Sequence, residues 1–328
     1  MAPARPAHPA RPAPRGDRHV TTIEAAAAAV RDTGGEPRAG GTDVMTRAAR
    51  PAVDLLGVPG LGGVGWRPDG SARVGALTTI AGLLADDRLT AAYPALAATA
   101  AAVATPQIRN VATVGGNLLQ RNRCWYLRNP AFTCHQTGGD TCHAREGAHL
   151  YSAVVDQGPC VAPHPSSLAV ALLTYGATAE VHGRSTLGIA ELYGDGADPT
   201  RDHRLEPGEI LQAVVMPPPT PDERAAYRRA TAREMAEWPL VEAAARLTFD
   251  GDTIATASVA VGGVARTPLL LTEVAEALLG KPATEETLTA AADLATARCT
   301  PLPQNAYKVA LLRATLIDTL TACSPPSP

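Results

Sequence analysis

Residues 111–160 constrain the fold of this chain more than any other stretch. The stretch opens with the glycine loop VATVGGN, residues 111–117, and then carries four of the six cysteines. Adjacent glycines let the backbone approach a ligand closely, and their N–H groups can surround an anion. Four cysteines close together in a chain of this length favour a metal site over a disulfide scaffold. The stretch therefore predicts one segment that contacts two redox centres.

A second glycine loop, GGTD at residues 40–43, lies nearer the start of the chain. It follows a predicted strand at residues 36–39 and precedes a predicted helical turn at residues 44–49. Such a loop forms an anion-binding nest, and the hydroxyl of Thr42 can donate a hydrogen bond to a phosphate. Taken alone, a Gly-Gly turn is more often structural than functional. The sequence lacks both GxGxxG and a long βαβ unit, which argues against a Rossmann domain.

The four cysteines of the stretch have the spacing C-x9-C-x7-C-x17-C. No CxxC is present, so the pattern is neither a zinc ribbon nor a ferredoxin-type run. Four thiolates can hold a [4Fe–4S] cube, whose negative charge Arg123 and Arg128 could offset. The spacing alone also allows scattered buried cysteines or a structural zinc site. Four nearby histidines could replace a cysteine ligand, namely His135, His143, His149 and His164.

Composition and charge narrow the classes of function. The 328 residues suit two or three domains, and a formal net charge of −3 gives no reason to expect a nucleic-acid partner. No run of about 18 apolar residues occurs, so we expect no membrane span. Residues 1–20 are rich in proline, alanine and arginine without an apolar stretch, which predicts a disordered leader rather than a secretory signal. We therefore expect a cytoplasmic protein, although export with a signal-bearing partner is compatible with the sequence.

The rest of the chain predicts a succession of helices and strands. A helix begins at residue 21, where Thr21 and Glu24 have capping-box spacing, and ends at Gly34. Residues 210–216 predict a strand, and the proline run 217–219 predicts a domain boundary. Beyond it we predict strands near residues 225–231, 241–249 and 254–261, then helices near 271–279, 285–298 and 306–321. Strands followed by helices are typical of an α+β domain.

Five short motifs together resemble a known family. They are AGGTD at residues 39–43, QIRN at 107–110, ATVGGN at 112–117, LEPGE at 205–209 and GGVARTPL at 262–269. Over about residues 21–322 the chain resembles the FAD-binding (medium) subunits of molybdenum hydroxylases, the xanthine dehydrogenase, carbon monoxide dehydrogenase and aldehyde oxidoreductase group. QRNRCWY, residues 120–126, is similar to the branch whose FAD subunit carries an extra [4Fe–4S] cluster, which includes periplasmic aldehyde oxidoreductases.

The resemblance implies an α+β fold in two domains after the leader. Residues 21–218 would form a vanillyl-alcohol-oxidase (PCMH)-type FAD-binding domain of two α+β subdomains, about 21–56 and 57–218. A [4Fe–4S] insertion would occupy residues 120–160, and a C-terminal α+β domain like that of the carbon monoxide dehydrogenase flavoprotein would occupy 222–322. The implied cluster ligands are Cys124, Cys134, Cys142 and Cys160.

The same resemblance implies a set of FAD-binding residues. The first loop would hold the pyrophosphate through Ala39, Gly40, Gly41, Thr42, Asp43 and Val44, with Arg38 beside it. The second loop would contact the diphosphate and ribityl chain through Thr113, Gly115, Gly116 and Asn117, with Asn110 before it. Val103, Leu211 and Arg228 match positions that line the flavin or adenine ends. Ser167 departs from the family pattern, because many members have an aspartate there that contacts the adenosine half of FAD.

The implied function is that of an electron-transfer subunit. A large molybdopterin subunit would oxidise an aldehyde or N-heterocycle, and a small [2Fe–2S] subunit would carry the electrons. The FAD of this chain would pass them to an external acceptor such as O2, ferredoxin or a quinone, so the chain would be an FAD-dependent oxidoreductase within a complex. The sequence shows no Ser/His/Asp arrangement and no paired carboxylates, so we expect no catalytic residue in it.

Two alternatives stay open at this point. The chain could be a stand-alone FAD/[4Fe–4S] oxidoreductase that acts directly on a small molecule in a specialised pathway. Tyr193, Arg233, Glu237 and Trp238 would then face the flavin. It could instead be a binding or scaffold protein with structural zinc and a decayed flavin site, although both glycine loops are intact.

Overall fold

The computed structural model describes residues 18–47, 51–233 and 236–325. Residues 1–17 of the predicted leader lie outside these ranges. The end of the predicted leader is not disordered, because Arg18–His19 forms a strand that pairs in parallel with Ala52–Asp54. Within the described ranges, no helix is long and apolar enough to span a bilayer.

The N-terminal part packs one helix against a parallel sheet of three strands. The sheet has the order β1-β3-β2 and the helix is α1; their bounds are β1 (Arg18–His19), α1 (Ile23–Thr33), β2 (Glu36–Arg38) and β3 (Ala52–Asp54). The hydroxyl of Thr22 accepts a hydrogen bond of 3.1 Å from the N–H of Ala25. The predicted capping box at Thr21 is therefore wrong, because the extended backbone of Thr22 places its own hydroxyl at the first turn. Gly34, with φ at 60°, ends the helix as predicted.

An antiparallel sheet of five strands forms the centre of the middle part. Its order is β4-β5-β8-β6-β7. The strands are β4 (Val64–Trp66), β5 (Ala72–Gly75), β6 (Thr178–His182), β7 (Leu187–Gly188) and β8 (Ile210–Met216). Strand β8 confirms the prediction for residues 210–216 and ends at the proline run.

Short helices surround this sheet. They are α2 (Ile80–Leu84), α3 (Asp87–Ala92), α4 (Pro94–Ala102), α5 (Pro106–Arg109), α6 (Val114–Leu118), α7 (Trp125–Arg128), α8 (His143–Glu146), α9 (Ser167–Thr174) and α10 (Ile189–Tyr193). Two 3-10 turns are also present. Val44–Thr46 follows the first glycine loop, and His135–Thr137 lies within residues 120–160. Every residue of α9 is buried, and α9 shares a core with the five-stranded sheet and the next domain.

The C-terminal part is an antiparallel sheet of four strands covered by three helices. The strand order is β12-β11-β10-β9. The elements are β9 (Arg224–Ala230), β10 (Val241–Asp250), β11 (Thr253–Gly262), β12 (Leu269–Leu270), α11 (Thr272–Leu278), α12 (Glu285–Thr296) and α13 (Tyr307–Cys323). The three main strands precede the helices, so the predicted α+β pattern is confirmed.

The cysteine segment, residues 120–160, contains only α7, α8 and one 3-10 turn. All of its residues are described, and none of them belongs to a strand. Its small aromatic cluster joins Tyr126, Phe132 and His143, with ring centroids 4.9 to 5.8 Å apart. With so little regular structure, the segment depends on side-chain contacts for its conformation.

Candidate functional site

A cleft of about 670 Å³ opens where the two glycine loops, the cysteine segment and the C-terminal sheet meet. Its lining residues lie at positions 42–46, 103–117, 120–128, 144–152, 162–167 and 229–240, with Ile80 and Gly263 in addition. A large cleft walled by segments far apart in the sequence is the usual form of a cofactor site.

The two glycine loops touch at Gly40. A Cβ atom at this position would lie 1.7 Å from the backbone oxygen of Val111, so only glycine fits. The next residue, Gly41, has φ at 73°, a conformation that favours glycine. The close approach brings Thr42 and Asp43 to the wall of the cleft. Glycine is thus required here for loop-to-loop packing as well as for access to a ligand.

The second glycine loop becomes helix α6, which Thr113 caps. Its hydroxyl accepts a hydrogen bond of 3.1 Å from the N–H of Gly116. A Cβ at Gly115 would lie 2.9 Å from the Cβ of Ala76, which explains why the loop is glycine-rich on the side away from the cleft. Gly116 and Asn117 line the cleft, and the Asn117 side-chain oxygen accepts a 2.7 Å hydrogen bond from the hydroxyl of Ser166.

Part of the predicted set of FAD-binding residues lies together on this cleft. The predicted residues that line the cleft are Thr42, Asp43, Val103, Gly116, Asn117 and Ser167. The others are not among its lining residues: Arg38, Ala39, Gly40, Gly41, Val44, Asn110, Thr113, Gly115, Leu211 and Arg228. Most of this second group shape the two loops from behind.

Leu211 and Arg228 lie away from the cleft and belong to neither glycine loop. Leu211 is 3% exposed and belongs to the central hydrophobic core. Arg228 is exposed on β9, whereas its neighbour Arg229 lines the cleft and donates a 2.6 Å hydrogen bond to the backbone oxygen of Ala102. Successive side chains of a strand point to opposite faces, so a shift of one residue moves the positive charge from one face to the other.

Asp43 binds the cysteine segment rather than standing free in the cleft. Its Oδ1 accepts hydrogen bonds of 2.6 Å from Arg123 and 3.0 Å from Arg128, and its Oδ2 accepts one of 3.1 Å from the N–H of Arg121. Arg47 adds an ion pair of 3.2 Å. Burial raises the pKa of the Asp43 carboxyl, but Arg123 and the other donors outweigh burial and bring the pKa below its usual value.

Positive charge is crowded beside Asp43. Burial lowers the pKa of Arg123 to about 10, and the neighbouring Arg128 and Arg47 act in the same direction against the attraction of Asp43. The Arg123 guanidinium lies over the ring of Trp238, 4.5 Å from its centroid. An anion in the cleft would relieve this crowding.

The four predicted cluster ligands surround a second, smaller cavity. Cys124, Cys134, Cys142 and Cys160 all line it. Backbone N–H groups point at the sulfurs: those of Tyr126 and Leu127 at Cys124, and those of Ala144, Arg145 and Val161 at Cys142. Thiolates accept such hydrogen bonds, so the lining suits bound sulfur.

The two cavities share part of their walls. Cys124, Tyr126, Ala144 and Ala162 line both of them. A group held by the cysteines would therefore be separated from a group in the cleft by single side chains.

Two of the cysteines interact directly. A hydrogen bond with Cys160 lowers the pKa of the Cys142 thiol to about 5, and the same interaction and burial raise that of Cys160. All six cysteines of the chain are free thiols, which is consistent with the prediction that they do not form a disulfide scaffold. In the described part of the chain, no group of three or more His, Cys, Asp or Glu side chains is arranged to hold a single metal ion.

The nearby histidines occupy different positions. His135 and His143 line the cysteine cavity, and the Nε2 of His143 lies 2.9 Å from the backbone oxygen of Thr133. His149 uses both ring nitrogens, toward the oxygen of Ala144 and the N–H of Gln304. His164 lines the large cleft, where burial lowers its pKa to about 3.

Asp202 is a buried carboxylate at the centre of a hydrogen-bond network, and no sequence motif predicts it. Its carboxylate accepts hydrogen bonds from Arg121 at 2.7 Å, Asn122 at 2.9 Å, Gln136 at 2.8 Å and Arg266 at 3.1 Å. These contacts bring its pKa below the usual value although burial raises it. Three of the donors belong to the cysteine segment, so Asp202 fixes that segment to the C-terminal domain.

Ser167, the residue that departs from the expected aspartate, has a buried acid behind it. Glu242 is 0% exposed, and its Oε2 accepts a 2.6 Å hydrogen bond from the hydroxyl of Tyr227. Burial raises the pKa of the Glu242 carboxyl, and the hydroxyls of Ser167 and Tyr227 only partly oppose this. The cleft therefore presents a neutral hydroxyl where the family pattern places a charge.

Comparison with known families shows which family the chain belongs to. The model of the FAD binding domain in molybdopterin dehydrogenase matches residues 18–219, and that of the CO dehydrogenase flavoprotein C-terminal domain matches residues 225–322. The chain belongs to the FAD-binding medium subunits of the molybdenum hydroxylase family. It is an FAD-dependent oxidoreductase subunit, and the predictions of family, fold class and FAD are confirmed.

Relatives of this medium subunit cover most of its length. The aldehyde oxidoreductase FAD-binding subunit PaoB of Escherichia coli (strain K12) is 35% identical over 318 residues, which are 93% of this chain and 96% of PaoB. The carbon monoxide dehydrogenase medium chain of Afipia carboxidovorans is 30% identical over 274 residues, 81% of this chain and 79% of that one.

A solved structure shares the fold of the medium subunit. A chain of carbon monoxide dehydrogenase from Hydrogenophaga pseudoflava superposes with a TM-score of 0.74 and covers 94% of this chain and 97% of its own. Its sequence is 22% identical, so this comparison supports the fold alone.

Proposed function

We propose that this medium subunit holds FAD in the large cleft and a [4Fe–4S] cluster among its four cysteines, as the electron-transfer subunit of a molybdenum-dependent hydroxylase or aldehyde oxidoreductase. The observation that carries the proposal is that Cys124, Cys134, Cys142 and Cys160 line one cavity that shares its walls with the cleft. They come from four separate parts of the segment, which chance placement of buried cysteines does not explain.

The cysteine cavity offers the four thiols that a [4Fe–4S] cube requires, one for each iron. Four thiols can also hold a structural zinc ion, so the metal content of the purified chain separates the two assignments.

FAD would be held by residues of both glycine loops and by Ser167, the first residue of α9. Thr42, Gly116, Asn117 and Ser167 would contact it directly from the wall of the cleft. FAD stores two electrons and can take them up or release them one at a time, which is the chemistry that a subunit between one-electron iron–sulfur clusters and an acceptor requires. This chain contributes placement and exclusion of water rather than acid–base groups.

The partners follow from the relatives. Because PaoB is named as a subunit of an aldehyde oxidoreductase and a second relative as a medium chain of carbon monoxide dehydrogenase, we propose that this chain also works with a large molybdopterin subunit and a small [2Fe–2S] subunit. The substrate would be oxidised on the large subunit, and the electrons would leave from this chain to an external acceptor. Its location in the cytoplasm remains a prediction.

The test is anaerobic purification followed by quantification of FAD, iron, sulfide and zinc. We expect one FAD and about four irons per chain. The variant C160S should lose most of its iron, whereas C299S should keep it, because Cys299 is also a free thiol but lies after α12 in the C-terminal part. Zinc without iron, or equal iron in both variants, would overturn the cluster assignment.

A second experiment separates the subunit from a stand-alone enzyme. Aldehydes and N-heterocycles are added to the pure chain and to the chain mixed with its co-expressed large and small subunits, and bleaching of the flavin absorbance is followed. We expect bleaching only with the partners. Bleaching of the pure chain by a small molecule would make it an enzyme in its own right.

A further inference from the structure

The cysteine segment also forms one wall of the FAD cleft. We propose that Arg123 and Arg128 bind the diphosphate of FAD, and that the cluster and FAD consequently bind with positive coupling. The proposal rests on the proposed function, because it takes FAD in the cleft and a cluster among the cysteines. It adds that neither cofactor is bound independently of the other.

The first step is the connection between the two sites. Arg123 and Arg128 lie one residue before and four residues after Cys124, and both line the cleft. Both donate to the same oxygen of Asp43, at 2.6 Å and 3.0 Å, and Asp43 belongs to the first glycine loop. Arg128 also donates a 3.1 Å hydrogen bond to the hydroxyl of Thr46. One carboxylate therefore holds the glycine loop and the cysteine segment together.

The second step is the charge of this group. Arg47, Arg123 and Arg128 all contact Asp43, and Arg47 also contacts Glu36. Among these contacts of the described residues, three guanidinium groups face two carboxylates beside the cleft. The side chain of Arg123 is only 22% exposed and that of Arg128 only 21%, so water screens their charges poorly. The diphosphate is the anionic part of FAD, and guanidinium groups bind phosphate oxygens with strong, directed hydrogen bonds.

The third step is the dependence of the arginines on the cluster. The cysteine segment has no strand and only short helical pieces, so its order rests on a few contacts. Binding of four cysteines to one cluster would remove much of the remaining freedom and hold Arg123 in its position over Trp238. A cluster that orders the arginines raises the affinity for FAD, and FAD must then stabilise the cluster by the same factor.

The coupling is tested by FAD titration of flavin-free protein with and without its iron, followed by quenching of flavin fluorescence. We expect iron removal to weaken FAD binding at least about tenfold, a typical size for coupling between two sites. The reciprocal measurement is the amount of iron retained at increasing chelator concentration, which FAD should raise. Equal FAD affinity in both forms, or equal iron retention with and without FAD, would overturn the coupling.

The arginines are tested by substitution in iron-loaded protein. R123Q and R128Q should each weaken FAD binding about tenfold or more, and should weaken competition by ADP, which carries the diphosphate without the flavin. The control R67Q should change neither, because Arg67 pairs with Glu180 and does not line the cleft. Unchanged FAD and ADP binding in R123Q and R128Q, or no competition by ADP in the wild type, would overturn the role of the arginines.

The two proposals fail in different ways. If the purified chain holds no iron under anaerobic conditions, the cluster is wrong, and the ADP measurements on R123Q and R128Q still decide whether the arginines bind a diphosphate. If iron is present and the titrations show no coupling, the cluster stands and the coupling falls, and the measurements on R123Q and R128Q decide the role of the arginines.

Discussion

The carboxylate of Asp202 and the guanidinium of Arg266 form an ion pair of 3.1 Å in which the side chains are 4% and 2% exposed. Arg266 belongs to the C-terminal part, and the other donors to Asp202 belong to the cysteine segment. Because Asn122 also accepts a 3.0 Å hydrogen bond from the N–H of Cys124, the network reaches a proposed cluster ligand. The C-terminal domain therefore helps to hold the cysteine cavity in shape.

The variant D202N should lower the free energy of unfolding by about 3–5 kcal/mol, since it leaves the buried guanidinium of Arg266 and the partly buried one of Arg121 without their carboxylate. Urea unfolding at neutral pH measures this. The control D293N removes the carboxylate that pairs with Arg313, and both of those side chains are well exposed. The urea-unfolding midpoint of D293N should stay close to that of the wild type. Equal midpoints for D202N and D293N would contradict the buried role of Asp202.

The sequence predicts local features of the site well and tertiary features poorly. The glycine loops and the four cysteines could be found because residue type and spacing alone indicate them. Asp202 could not, because it lies in a polar loop without a motif and its side-chain donors are 64 to 81 positions away. The sequence could not place Arg229 on the cleft and Arg228 outside it, because the face of β9 that meets the cleft depends on how β9 pairs with β10. The fold class needed only the order of elements and the family motifs.

The variant G40A should lose FAD, because the added methyl group would collide with the backbone oxygen of Val111 and separate the two loops. We expect FAD content below about a tenth of the wild type, with a fall in stability of a few kcal/mol from the backbone shift. FAD content after gel filtration and the thermal midpoint measure the two effects. Its control is G62A, whose Cβ would meet no atom within 4 Å. An FAD content in G40A equal to that in G62A would show that the loops can separate without harm.

The variant E242Q should gain stability relative to the wild type as the pH rises. Burial raises the folded-state pKa of Glu242, so the unfolded chain loses its proton first and wild-type stability falls as the pH rises from the unfolded pKa through the folded one. Glutamine keeps an acceptor for the hydroxyl of Tyr227 and removes this loss. Urea unfolding at pH 5 and pH 8 should show a difference between E242Q and wild type that grows with pH. A constant difference would mean that Glu242 carries the same charge in the folded and unfolded chains over this range, so that burial does not raise its pKa.

The matched variant E242A tests the packing of the same position. It leaves the buried hydroxyl of Tyr227 without its acceptor and opens a cavity behind Ser167. We expect it to lose about 2–4 kcal/mol at every pH. FAD content in E242A and E242Q then shows whether the cleft needs the acid itself or only a filled space behind Ser167.

Acid should destabilise the chain through His164 and His203. Burial lowers the pKa of His164 to about 3 and that of His203 to about 4, against an unfolded value near 6.5. Between these values the unfolded state binds more protons, so stability is fully present above about pH 6.5 and is lost as the pH falls toward the folded pKa. Each histidine should remove about 2 kcal/mol between pH 7 and pH 5.

The variant H164Q isolates one of these two contributions. Its free energy of unfolding should fall by about 2 kcal/mol less than that of the wild type between pH 7 and pH 5, because glutamine does not titrate. His203 is unchanged in both proteins and cancels in the comparison. The measurement is urea unfolding of flavin-free protein at the two pH values, so that FAD release does not contribute. Parallel pH profiles for H164Q and wild type would mean that His164 can be protonated in the folded cleft, most directly by a movement toward Asp202, whose charge favours the protonated form.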